Sequence, residues 1–584
     1  MFALTFARLG VIGGLLAGAT AWAENRPSIV VILADDQGWG DLSIHGNTNL
    51  ATPNLDSLGR SGVVFDRFYV CPVCAPTRAE FLTGRYHARD GVRGVSTGRE
   101  RLAPGVKTIA DTFKAAGYAT GAFGKWHNGS QWPYHPNARG FDEYYGFTSG
   151  HWGEYFDPQL EHNGKPVRGK GYIADDLTDH ALAFIEQHKA RPFFCYLPLN
   201  IPHSPFCVPD EYWDRFQDKP IALRGKDGDR EALQSTRCAL AMCENMDWNV
   251  GRVLKRLDEL QLAGNTIVVY FSDNGPNTVR WNGGMKGIKG STNEGGVRSP
   301  LLIRWPARLR PGTRVREIAG AIDLLPTLAS LAGVPLIGKE PLDGKDLSPL
   351  LSGEGRDWPD RMIINQYAAA VSIRTQRYRL DDKGALFDMV ADPGQTTPIE
   401  APAVARKLKQ AVADWRATAS LPAEEPPFTV GYAEFPRTPL PARDGVPHGK
   451  IRRSGTAPNC SYFTDWVSPE DKMTWNIAVN TAGVYEAAIY YTCPAGDVGS
   501  TVELSLNGRT LTGRIAPAWD PPLNTGQDRV SRGAESYQKE FRELKLGKFR
   551  LDEEHGLLTL RALRVVGKQV ADVRQVTLTL TGEK

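Results

Sequence analysis

The chain has 584 residues, 41% of them hydrophobic and 23% charged, with 14 Trp, 22 Phe and 19 Tyr. That composition excludes a disordered or fibrous chain and allows a sizeable core. Lys plus Arg number 69 against 66 for Asp plus Glu, a net charge of +3, so no global charge calls for nucleic acid, while a local cationic cleft for an anionic substrate is compatible with it.

Residues 1–23 hold one cation, Arg8, then an apolar run from Leu9 to Trp22 ending in Ala21-Trp22-Ala23. This is the pattern of a secretory signal peptide cut near Ala23, so the mature chain is expected to be exported, periplasmic or secreted. The run is shorter than the ~20 apolar residues of a spanning helix, so no stable membrane insertion is expected. The 8 cysteines are too few for a disulfide framework at this length. An oxidising compartment allows pairs such as Cys460 with Cys493, and the spacing leaves the pairing open.

From Ser28 onward apolar strands alternate with amphipathic helices. Ser28–Leu33 and Thr266–Phe271 are continuous β-branched runs, the pattern of strands buried on both faces. Ala119–Phe123, Pro192–Leu199 and Leu301–Arg304 are further strands. Thr108 is placed to cap a helix that Gly117 closes. Leu177, Ala181, Phe184 and Ile185 share one helix face, and Val250, Val253, Leu254 and Leu257 another. The alternation predicts an α/β fold with a large, mostly parallel sheet flanked by helices. A small antiparallel subdomain is expected over about 363–420, closing a catalytic domain of 24–420. Residues 421–450 contain seven prolines, at 422, 426, 427, 436, 439, 441 and 447, and read as a linker. Beyond it apolar residues recur with period two around Trp475–Val479, Tyr485–Tyr491, Val502–Leu506, Leu558–Ala562 and Val576–Leu580, with Asn507-Gly508 as a hairpin turn. Residues 451–584 are therefore expected to form an appended all-β sandwich of jelly-roll type.

Ligands of such α/β sheets sit beyond the carboxyl ends of the strands. The two best strands run into Asp35-Asp36 and Asp273-Asn274. Adjacent acids there cannot both stay ionised cheaply without a cation. Four hard oxygen side chains without His or thiolate suit Ca²⁺ or Mg²⁺ rather than Zn²⁺. Lys125 and His127 follow a third strand and His203 a fourth. Cys71 and Cys74 also form a C-x-x-C, but no second such pair and no thioredoxin-like unit accompanies it.

The segment Cys74-Ala-Pro-Thr-Arg78, continuing to Leu82-Thr-Gly-Arg85, resembles the signature of the sulfatase family, and the likeness extends from about Arg26 to Trp415. It implies an alkaline-phosphatase/sulfatase-like fold and oxidation of Cys74 to formylglycine (3-oxoalanine) by a maturation enzyme. One hydroxyl of the aldehyde hydrate would attack sulfur, and the other would collapse to release sulfate. By the same resemblance Arg78 orients that hydrate, Lys125 and Lys289 hold sulfate oxygens, His203 with Lys289 protonates the leaving alcohol, and His127 assists release. One divalent ion, usually calcium, would touch Asp35, Asp36, residue 74, Asp273 and Asn274. Lys286 rivals Lys289, but the Lys-Gly-x-x-x-Glu-Gly-Gly spacing favours the latter. The resemblance implies a sulfuric ester hydrolase acting on a sulfated carbohydrate or an aryl sulfate. Phosphonate or phosphate ester hydrolysis, and a non-catalytic binding role with Cys74 unmodified, are the alternatives. The loops 151–170 and 222–231 are expected to choose the substrate. Trp466, Tyr490 and Trp519 of the β module are candidates for stacking on sugar.

Overall fold

The protein is described by a computed structural model covering residues 26–355, 358–419 and 424–582. The signal-peptide reading of residues 1–23 lies outside the described residues. Among these residues no helix is long and apolar enough to cross a membrane.

Five strands, Ser28–Ala34 (β1), Ala119–Lys125 (β2), Glu143–Phe147 (β3), Phe193–Pro198 (β4) and Thr266–Ser272 (β5), form the centre of a ten-stranded sheet. In space they run β5-β1-β4-β2-β3, every neighbouring pair parallel. The sheet is mixed overall, because Leu301–Arg304 pairs antiparallel with β5 and Gln159–His162 antiparallel with β3. Every residue of β1 and β5 is buried, which is why their sequence shows an unbroken apolar run rather than alternation.

The two faces of β1 show how the layers form. Ile29, Val31 and Leu33 pack with Ala79, Phe81 and Leu82 of helix Cys74–Thr83 (α1) and with Ile109, Ala110 and Phe113 of Ile109–Ala115 (α2). Val30 and Ile32 face the opposite way, towards Leu177, Ala181 and Ile185 of Ile173–Gln187 (α3) and Val250, Val253 and Leu257 of Leu233–Glu259 (α4). Thr108 caps α2 reciprocally with Asp111, its hydroxyl accepting from the Asp111 N–H at 3.1 Å.

After the main sheet, four short antiparallel strands over 363–388 pack Ile373, Leu380 and Leu386 against Leu408 of the helix Pro402–Thr418. The expected linker over 421–450 is corrected by the structure. Phe428–Val430, Arg437–Pro441 and Val446–His448 are strands of the sandwich, paired with Lys472–Val479 or Asp572–Leu580. Pro439 and Pro441 sit in a strand bonded to a single neighbour; an edge strand tolerates the missing N–H, so the prolines there do not mark a spacer. The sandwich consists of two six-stranded sheets, and Asn507-Gly508, both at positive φ, make the hairpin turn between Thr501–Leu506 and Arg509–Arg514. Trp466 is fully buried beside Phe463 and Trp475 in its core, which corrects its reading as a sugar platform. Tyr490 and Trp519 are half-buried, and the Trp519 indole donates to Glu540 O at 3.0 Å. All eight cysteines are buried thiols, Cys460 and Cys493 included.

Candidate active site

The carboxyl ends of β1, β2, β4 and β5 open on one edge of the sheet. The register pairs Ala34 with Ser272, so the acids that follow each strand stand side by side. Asp273 N–H donates to Ala34 O at 3.1 Å, and the Asp36 N–H to the Asp273 carboxylate at 3.2 Å. Asp36 and His127 both hold positive φ, 67° and 64°; left-handed backbone is uncommon outside glycine and clusters at functional sites.

Cys74 opens α1, preceded by extended Val73, and Pro76 falls in the first turn, where its lack of an N–H costs nothing. All ten residues of α1 are buried, so its amino end lies under the sheet edge rather than in solvent. Thr77 ties this turn to β5: its hydroxyl accepts from Cys71 N–H at 2.8 Å and donates to Asp273 O at 2.5 Å. Arg78, one turn on, is wholly buried, donates to the Asp273 carboxylate at 2.8 Å and to Lys125 O at 2.7 Å, and approaches Asp35 at 3.9 Å.

The remaining cations converge on the same acids. Lys125 Nζ meets Asp35 at 2.7 Å and Lys289 Nζ meets Asp36 at 2.6 Å. His203 Nε2 lies 3.5 Å from Asp36, and Asn274 Nδ2 donates to Asp36 at 2.7 Å. Lys286 points elsewhere, over the Phe387 ring at 5.5 Å. His127 Nε2 bonds Val95 O at 2.7 Å, and among the described residues its Nδ1 has no partner. The structure thus gathers Asp35, Asp36, Cys74, Arg78, Lys125, His203, Asp273, Asn274 and Lys289 around one point, with His127 anchored just beyond.

The electrostatics follow from burying acids and cations together. Burial pushes Asp36 up, but His203, Lys289 and Lys125 outweigh it and hold that carboxyl below the usual range. Asp273 is pushed up to about 6 by burial and Asp35, against Arg78 and Lys125. Burial raises the Cys74 thiol, although Lys125 and Lys289 oppose it; a protonated thiol is a poor nucleophile. Burial lowers His203 to about 4, with Asp36 pulling up and Lys289 and Lys125 pushing further down. Burial and then Lys125 drive His127 well below its ordinary value. Burial would lower Lys289, but Asp36, Cys74 and Asp35 raise it.

The donor set fits a hard divalent ion. Asp35 Oδ1, Asp36 Oδ2 and Asn274 Oδ1 are buried without a hydrogen-bond partner among the described residues. One ligand atom each from Asp35, Cys74 and Asp273 falls within 4.8 Å of the others, as it does for Asp35, Asp36 and His203. Buried oxygens left unpaired are costly, and several converging on one spot is the arrangement that oxygen-liganded ions use.

Three residues escaped sequence reasoning. The His151 ring lies 5.9 Å from that of His203, and its Nε2 has no partner among the described residues. Asn200 is 1% exposed, and neither polar atom of its side chain has a partner among the described residues. Glu535, from the sandwich, lies 3.8 Å from His203 Nδ1. His151 stands in a stretch with no periodicity, and Glu535 is more than 300 residues away in sequence, so neither leaves a local signal.

The Sulfatase family model matches residues 27–334, and the model of the N-sulphoglucosamine sulphohydrolase C-terminal region matches residues 289–417. Human arylsulfatase A is 32% identical over 468 residues, 72% of this chain and 84% of that protein. N-acetylgalactosamine-6-sulfatase from Mus musculus is 32% identical, over 60% of this chain and 70% of its own. The crystal structure of Ps i-CgsB in complex with k-i-k-neocarrahexaose superposes with a TM-score of 0.61 at 30% identity, covering 68% of this chain and 94% of that one. The chain belongs to the sulfatase family and is a sulfuric ester hydrolase.

Proposed function

We propose that this protein is an exported sulfatase of sulfated carbohydrates, with residue 74 matured to formylglycine by a dedicated enzyme and with calcium held by Asp35, Asp36, Asp273 and Asn274. The observation that carries the reading is the convergence of Cys74, three carboxylates and three cations, with unpaired oxygens of Asp35, Asp36 and Asn274 at its centre. The matured residue supplies a hydroxyl nucleophile and an exit route by collapse to the aldehyde, and the bound ion supplies positive charge to the sulfate oxygens.

The chain's own residues do the rest. Arg78, fixed by Asp273 and Lys125 O, orients residue 74 from within the same helix turn. Lys125 and Lys289 bind sulfate oxygens in a water-poor pocket, where fixed charge stabilises the sulfuryl group most effectively. Lys289 keeps its proton beside Asp36, Cys74 and Asp35. Burial, Lys289 and Lys125 hold His203 below its ordinary value, and the negative charge of a bound ester adds to Asp36 and Glu535 in favouring its protonation. These two residues are therefore the proton source for the departing alcohol. His127, kept neutral by burial and Lys125, can accept a proton when sulfate is released. The sandwich and the export expectation both suit a large external glycan, and the relatives include a sulfatase named for N-acetylgalactosamine-6-sulfate.

The test is mass spectrometry of the residue-74 peptide from protein co-expressed with a formylglycine-generating enzyme, followed by turnover of a panel of sulfated sugars, aryl sulfates and phosphonate monoesters. The aldehyde mass with sulfate release from a sugar is the expected result. An unmodified thiol in active protein, or faster turnover of the phosphonates, would overturn it.

A further inference from the structure

The sandwich does more than abut the catalytic part. Between its strands Arg509–Arg514 and Arg542–Leu551 runs an arm, residues 515–541, that crosses to the loop after β4. The Arg529 N–H donates to Phe206 O at 2.8 Å and its guanidinium to Val208 O at 2.8 Å. Cys207 Sγ donates to Asp528 at 3.0 Å. Arg532, paired with Asp528 at 2.7 Å, donates to Gly153 O at 2.9 Å. The arm therefore clamps both segments that flank His203, residues 203–208 and the chain around 153.

On this arm stands Glu535, its side chain 12% exposed. The Ser204 hydroxyl donates to Glu535 Oε1 at 2.7 Å, and the same oxygen lies 3.8 Å from His203 Nδ1. His203 Nδ1 also bonds the carbonyl of Ser204. The Nδ1 side of the ring is thus occupied by Ser204 and Glu535, which turns Nε2 towards Asp36. A second segment of the sandwich reaches His127. Ser149 Oγ donates to Asn459 O at 2.8 Å, and a Cβ built on Gly150 would stand 2.3 Å from Asn459 Nδ2 and 2.4 Å from His127 Nε2. Cys460 Sγ donates to His151 O at 2.8 Å.

We propose that the sandwich is a constituent of the catalytic pocket, its arm placing Glu535 as the positioning residue that holds His203 on the leaving-group side. This rests on the sulfatase reading above and adds to it a residue outside the region matched by the Sulfatase family model. The sandwich thereby acts on chemistry and leaving-group choice.

A misplaced proton donor harms a basic leaving group more than an acidic one. The matured full-length protein is assayed on phenyl sulfate and 4-nitrophenyl sulfate, whose leaving phenols differ in acidity. In Glu535→Gln, kcat for phenyl sulfate is expected to fall about tenfold more than kcat for 4-nitrophenyl sulfate, with KM within about twofold. Glu535→Asp is expected to recover part of the loss. Ser204→Ala, which keeps the carboxylate but removes its bond to the loop, is expected to shift the ratio the same way. Glu503→Gln, in the strand Thr501–Leu506 and paired with Arg561 at 2.8 Å, is expected to change nothing. Equal loss on both esters, or no loss, overturns the proposal. If instead His203→Ala leaves the leaving-group dependence unchanged, it is the assignment of His203 that fails.

Discussion

Removing Cys74 and removing Arg78 are expected to have different consequences, because the two side chains solve different problems. Cys74 is a small buried group whose carboxylate neighbours are neutralised by others, so Cys74→Ala should abolish sulfate-ester turnover and cost about 1 kcal/mol of stability. Arg78 is a buried counter-charge to Asp273 and Asp35, so Arg78→Ala leaves carboxylates unpaired and should cost ~3–5 kcal/mol as well as activity. Urea unfolding of both variants checks this; equal stabilities would show that Arg78 is not holding the acids. Cys74, Arg78 and the acid pairs were legible in the sequence because each lies within a short segment whose local structure is simple: a helix start, a strand end. His151 and Glu535 were not, since only the tertiary path of two distant loops brings them to His203.

At the scale of one helix, α1 carries a titratable group that its burial leaves exposed to pH. Glu80 is pushed up to about 8, chiefly by burial, with bonds from Cys71 and His87 N–H only partly opposing. Its folded value thus lies above the unfolded one near 4.5. Between those two pH values the folded state binds the extra proton, so stability falls as pH rises, by at most ~1.4 kcal/mol per unit from this group. Glu80→Gln removes the ionisation, so its melting temperature should gain on the wild type steadily from pH 5 to pH 8. A constant gap across that range would show that Glu80 ionises freely in the fold. β1, β2, β4 and β5 were readable from their apolar runs, and α2 from its cap. The strand Arg437–Pro441 was not, because proline density reads as a spacer unless the strand is known to lie on an edge.

For the molecule as a whole, the contacts between the sandwich and the catalytic part decide whether it unfolds as one body. Phe435 lies 4.5 Å from the His135 ring and 6.1 Å from that of Trp132. The Arg101 guanidinium donates to the carbonyls of Pro426 and Pro427, and Gln131 to Pro439 O at 3.1 Å. The arm adds its bonds to the loop after β4. These ties are buried or half-buried and spread over both ends of the interface, unlike the sparse polar contacts of a tethered module. Calorimetry should therefore show one transition rather than two. Exhaustive chelation of the proposed calcium should lower that single transition without splitting it. An ion present at about 100 times its Kd contributes roughly 2.7 kcal/mol, or about 2 °C for a unit of this size, and calcium should restore the shift. Two transitions, with chelation moving only the first, would mean that the sandwich folds independently and that its hold on His203 is too weak to matter.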